Sequence, residues 1–176
     1  MRATGLRTAG ALLYAKRENE NSYIGLKPVD GDEQILIDEP FRQRFPKLSP
    51  NARWLAYQSN ENGRDEIFVR AFPSMAGKQQ ISTSGGTQPV WSPDGKTLFY
   101  MNEKILMAVA FTSSPEDGVA GPGPALFEVS STRDYVYATY DIAPDGKSFL
   151  FVTDTDPEPP EIRVVLNGLE ELTGER

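Results

Sequence analysis

The chain has 176 residues and a net charge of −7, with no cysteine and no histidine. That is enough chain for one domain with a core, but disulfides, thiolate nucleophiles, cysteine zinc sites and a Ser-His-Asp triad are excluded. Acidic balance disfavours a nucleic-acid partner. No apolar run approaches the ~20 residues that cross a bilayer, and Met1 to Gly10 has no apolar h-region of a signal peptide.

In chain order, turn signals recur every 8 to 12 residues and separate short strands, an all-β rhythm. Naming strands A to D within each unit, the first unit offers B at 11–16, C at 22–29 and D at 33–37. The second offers A at 44–48, B at 53–59, C at 65–72 and D at 78–82. The third offers A at 87–91, B at 97–101, C at 104–111 and D at 125–129. The last offers A at 136–142, B at 148–153 and C at 161–166, with weak helical periodicity over Leu166 to Leu172. The units are thus about 10–38, 44–82, 87–129 and 136–167. The first lacks an A strand and the last a D strand; residues 1 to 9 could supply one of them.

These units are an internal repeat. Leu48-Ser-Pro-Asn-Ala-Arg-Trp-Leu-Ala-Tyr57 aligns with Trp91-Ser-Pro-Asp-Gly-Lys-Thr-Leu-Phe-Tyr100, 43 residues on, and with Ile142-Ala-Pro-Asp-Gly-Lys-Ser-Phe-Leu-Phe151, 51 further. Leu12-Leu-Tyr14 stands 43 residues before Leu55-Ala-Tyr57. A fixed period of this length signals a propeller. The B strands are apolar on both faces, so both faces need covering, and radially stacked blades cover one another. Pro-Asp-Gly sets the tight reversal from A to B. The expected fold is all-β: about four four-stranded antiparallel blades, part of a larger propeller.

Trp-Ser-Pro-Asp-Gly-Lys before an apolar strand resembles the PD40 repeat of TolB-like, WD40-like propellers. Asn62-Gly-Arg-Asp-Glu-Ile-Phe-Val-Arg-Ala-Phe-Pro73, Gln80-Ile-Ser-Thr-Ser-Gly-Gly-Thr-Gln-Pro89 and Val164-Val-Leu-Asn167 resemble the C-terminal propeller part of bacterial Ser/Thr protein kinases of the acidobacterial type. The resemblance implies a non-catalytic binding, sensor or protein-docking module in a larger signalling protein. Alternatives are a TolB-like periplasmic scaffold and a propeller domain of a glycosidase or peptidase. It slightly favours an extracytoplasmic location and leaves a cytoplasmic one open.

Asp94 and Asp145 are expected to set turn geometry. Asp154-x-Asp156-x-Glu158 is read as a solvated loop, and Gly118 to Gly123 lacks the Lys-Ser/Thr of a phosphate cradle. No catalytic residue, metal ligand or cofactor is expected, and the chain is expected not to be an enzyme. Trp54 and Trp91 are expected to pack. In a propeller the D-to-A connections reach the channel rim, which points to Arg44, Phe45, Thr87, Gln88, Thr139 and Asp141 as binding residues for a protein or small-molecule ligand. Upstream blades or a second copy are expected to cover the terminal blades.

Overall fold

The computed structural model describes residues 3–8, 10–112, 123–129, 138–153 and 161–166, with residues 3–8 and 161–166 described by their backbone. Asp154 to Glu158, the helical periodicity beyond Leu166 and the glycine-rich stretch up to Pro122 lie outside these residues.

Among the described residues, fifteen strands form four antiparallel sheets, and within each sheet neighbours in space are neighbours in the chain. The first blade holds β1 (Ala3–Thr8), β2 (Ala11–Glu18), β3 (Asn21–Pro28) and β4 (Gln34–Ile37). The second holds β5 (Gln43–Leu48), β6 (Trp54–Ser59), β7 (Glu66–Ala71) and β8 (Gln79–Gln80). The third holds β9 (Thr87–Trp91), β10 (Thr97–Asn102), β11 (Ile105–Ala110) and β12 (Ala125–Glu128). The fourth holds β13 (Tyr140–Ile142), β14 (Ser148–Thr153) and β15 (Glu161–Leu166). β1 supplies the A strand that the repeat alone left open, pairing Thr8 with Ala11 through Ala3 with Lys16. β8 is shorter than expected because Ile81 and Ser82 turn in: the Ile81 amide donates to the Ile67 carbonyl, and the Ser82 hydroxyl accepts from the Ile67 amide.

The second strand of each blade does the packing. Leu13 and Ala15 of β2 meet Leu55, Tyr57 and Phe68 of the second blade in one cluster. Trp54 and Ala56, on the other face of β6, meet Trp91, Leu98 and Tyr100. Phe99 and Met101, on the other face of β10, meet Tyr140, Phe149 and Phe151. Burying both faces removes apolar area from water at about 25 cal/mol per Å² on each side. Trp54 and Trp91 both pack edge-on against Phe111, at 5.2 and 4.8 Å, so both are packing residues.

The Ser-Pro-Asp-Gly turn is held by its own side chains. The Ser92 hydroxyl donates to Asp94 Oδ1 (2.6 Å) and accepts from the Thr97 amide (2.9 Å), while the Lys96 amide donates to the same carboxylate oxygen (3.0 Å). The Ser92 bond, with the Lys96 amide, holds the Asp94 carboxyl below its ordinary range. Ser49 and Asn51 repeat the pattern in the second blade. Asp94 and Asp145 are therefore turn residues, Asp145 accepting from the Lys147 amide.

Two predictions follow from these elements. Gly95 and Gly146 sit at φ +70°, and Ala52, at the equivalent place in the second blade, is held at φ 53°. An L side chain in that region costs roughly 1–2 kcal/mol. Gly95→Ala should therefore lower stability by about 1 kcal/mol, whereas Ala52→Gly should not, with part of the relief offset by about 0.4–1 kcal/mol of unfolded-state entropy; denaturant melts of the two variants check this.

The second concerns alkali. Burial pushes the Tyr57 hydroxyl up to about 12, against the opposing pull of Arg70, and burial likewise raises Tyr100 and Tyr140. These phenols ionise near their ordinary value of 10 once unfolded but resist in the fold. The Tyr57 contribution is complete below pH about 10 and is lost as pH rises toward about 12. The melting temperature should fall across that window, and less steeply in Tyr57→Phe.

Candidate functional site

The A strands are positioned from outside. Glu66, fully buried on β7, accepts from Gly85 N (3.1 Å), from the Ser82 hydroxyl and from Arg64 Nε (2.6 Å), while Arg64 also donates to the Thr83 carbonyl. A buried carboxylate requires such partners. They lash the 81–86 loop to β7, and the Gly86 amide donates to the Asp65 carbonyl (2.9 Å). A side chain at Gly86 would strike Ser82 and Ile67, so the loop runs against the blade with no space between. Out of this loop the chain enters β9.

β5 and β9 each carry one extra residue. Arg44 pairs with Gln58 and Lys47 with Ala56; Thr87 pairs with Met101 and Val90 with Phe99. The inserted residue takes a left-handed conformation, at Phe45 (φ 49°) and Gln88 (φ 55°). Such a bulge bends the strand and redirects its side chains. At Gln88 it builds a polar ladder across three blades. The Gln88 amide donates to Gln58 Oε1 (3.3 Å), and Gln88 Oε1 accepts from the Thr139 amide (2.6 Å) and hydroxyl (3.0 Å). The Tyr140 hydroxyl donates to the Gln88 carbonyl (2.7 Å).

Beyond the bulges, toward the A-to-B turns, a groove of about 450 Å³ opens where three blades converge. Lys47, Val90 and Asp141 stand at one repeat position on β5, β9 and β13, and all three line it. Leu48, Trp91, Ser49, Ser92, Pro50, Pro93 and Ala52 complete the wall. The volume suits a small ligand or a short segment of chain. Its wall is largely apolar and carries one cation and one anion. Trp91 is fixed there by Nε1 donating to the Lys47 carbonyl (3.1 Å), a bond between blades. Among the described residues no cluster of three or more metal-ligating side chains occurs.

The six residues expected from the sequence occupy three rows. Arg44 and Thr87, both half-buried, stand before the bulge. Phe45, Gln88 and Thr139 are buried at the bulge row, with Gln88 and Thr139 directly bonded. Asp141 is exposed in the groove. Sequence reasoning passed over Lys47 and Ser92 and read Trp91 as a packing residue, which it also is. The signal for them was present: Lys47 is the repeat equivalent of Asp141.

The ladder has a measurable consequence. Gln88→Ala leaves the buried Thr139 amide without its acceptor, which should cost about 1–3 kcal/mol. Hydrogen exchange should show protection falling at Thr139 and in β14 while β2 and β3 keep theirs.

No family model matches the chain, and no curated sequence relative was found. Solved structures share the fold at low identity. TolB from Acinetobacter baumannii aligns at TM-score 0.63 and 14% identity, over 90% of this chain and 39% of TolB. A gluconolactonase from Xanthomonas campestris aligns at 0.65 and 12%, over 90% of this chain and 56% of that one. An oligogalacturonate lyase from Vibrio parahaemolyticus aligns at 0.56 and 12%, over 88% and 45%. The chain thus spans about two-fifths to three-fifths of these proteins. The lactonase and the lyase correct one expectation from the sequence. Lack of histidine and cysteine does not place the chain outside enzymes, because its fold neighbours include enzymes of two reaction classes. What the likeness establishes is the architecture: the chain is built of β-propeller blades.

Proposed function

We propose that this chain is a binding module, and that the groove between the second, third and fourth blades receives a polar ligand or protein segment carrying both a positive and a negative group. The observation that supports this reading is the placement of Lys47 and Asp141 at one repeat position on either side of Val90, with the Trp91 ring in the wall. Opposite charges beside an apolar floor orient a ligand bearing complementary ends and disfavour one bearing a single charge. The bulge-row residues Phe45, Gln88 and Thr139 hold the strands that present these groups, and Arg44 and Thr87 extend the polar surface from the opposite side of the bulge. The resemblance to kinase-associated propellers supports a place for such a receptor in a larger signalling protein, with the groove as its sensing surface.

A library of short zwitterionic peptides, read by Trp91 fluorescence and by amide shifts, tests the reading. Binders should shift Lys47, Trp91 and Asp141, and Lys47→Ala with Asp141→Ala should weaken binding by about tenfold or more, equal to at least ~1.4 kcal/mol. Binding that leaves these residues unshifted, or that the double variant retains in full, would remove the groove as the receptor.

A further inference from the structure

The repeat assigns each residue of the second strand a direction. Positions equivalent to Leu12 and Tyr14 face the preceding blade, and positions equivalent to Leu13 and Ala15 face the following one. Internally each junction sets one pair against the other. Leu55 and Tyr57 meet Leu13 and Ala15; Leu98 and Tyr100 meet Ala56; Phe149 and Phe151 meet Phe99 and Met101. All of these are buried, with no residue above 8% exposure.

At the two ends three of the same positions meet water, while Tyr14, in the place of Tyr57, stays buried. Leu12, in the place of the fully buried Leu55 and Leu98, is 37% exposed. Leu150, in the place of the fully buried Phe99, is 47% exposed, and Val152, in the place of Met101, is 50% exposed. The backbone register sets Val164 opposite Leu150 and Ile162 opposite Val152. On the outer side of the first sheet, the Tyr14 hydroxyl is buried and has no hydrogen-bond partner among the described residues. The charges there also differ in sign. Lys27 lies opposite Leu12 and Lys16 opposite Tyr23 on the first blade, whereas Asp141 lies opposite Leu150 on the fourth.

We infer that the outer face of the fourth blade docks on the outer face of the first blade of a second copy of this chain. The two faces are the two halves of the junction the chain already makes three times, apolar side chains from the second strand of one blade against apolar side chains from the second strand of the next. A blade of this kind is therefore the surface each face was shaped to meet. Lys16 of the first face is paired with Glu18, and Lys27 there and Asp141 on the fourth add attraction of the correct sign. The contact is head-to-tail, so it generates a ring where the rotation closes and a longer array where it does not.

Complementation of surface variants tests this contact independently of the groove. Wild-type protein should sediment above the mass of one copy at micromolar concentration. Leu12→Glu spoils only the first face and Leu150→Glu only the fourth, so each alone should be monomeric with an unchanged circular dichroism spectrum. An equimolar mixture retains one intact pair of faces and should regain a one-to-one heterodimer, binding about tenfold or more tighter than either variant binds itself. A wild-type monomer, the result expected if blades of another polypeptide cover these faces, would overturn the inference. So would single variants that still associate, or a mixture that does not recover.

Discussion

The structure depends on one constraint: a β-strand apolar on both sides has to be covered on both sides. The second strand of every blade is such a strand. Leu55 and Tyr57 look back, Ala56 looks forward, and all three are inaccessible to water. No single sheet of four strands satisfies this requirement alone, so each blade is stable only as part of a stack. The aromatic series Tyr57, Tyr100 and Phe151 and the turn motif that precedes it are consequences of that stacking.

Polar chemistry is confined to places where stacking leaves room for it. Gln58, Gln88 and Thr139 are buried, yet each bonds to another blade, so they cross-link the inner strands at no cost in unsatisfied groups. Glu66 is satisfied within its own blade, by the loop that follows β8. At the outer edge, Glu39 receives Arg70 and Lys78, and against the opposing effect of burial these cations hold its carboxyl below the usual range. Past the bulges, Lys47 and Asp141 line the groove.

Most of the fold was legible because the repeat carries it. Ser-Pro-Asp-Gly located the inner turns, and the doubly apolar strands located the packing. The inner row was harder. A simple alternation puts Arg44 and Lys47 on opposite sides of β5, but the extra residue at Phe45 returns them to the same side. Nothing about Phe45 or Gln88 as residue types announces a left-handed backbone. For that reason the sequence pointed to a rim at Gln88 and Thr139, which bond to each other, and passed over Lys47, which lines the groove. The strand at 3–8 was left open between the first blade and the last for a related reason: it lacks the Ser-Pro-Asp-Gly turn and enters β2 through Gly10 instead.

The order of strands within each sheet has a kinetic meaning. Every strand pairs with its neighbour in the chain, so sheet formation closes only short loops and proceeds rapidly. Yet a lone blade has two uncovered faces. A chain emerging from the ribosome therefore gains lasting structure in steps of a whole blade, the first becoming secure only when the second has emerged to cover Leu13 and Ala15. Synthesis direction and stacking direction coincide, so each blade is covered by the one made after it.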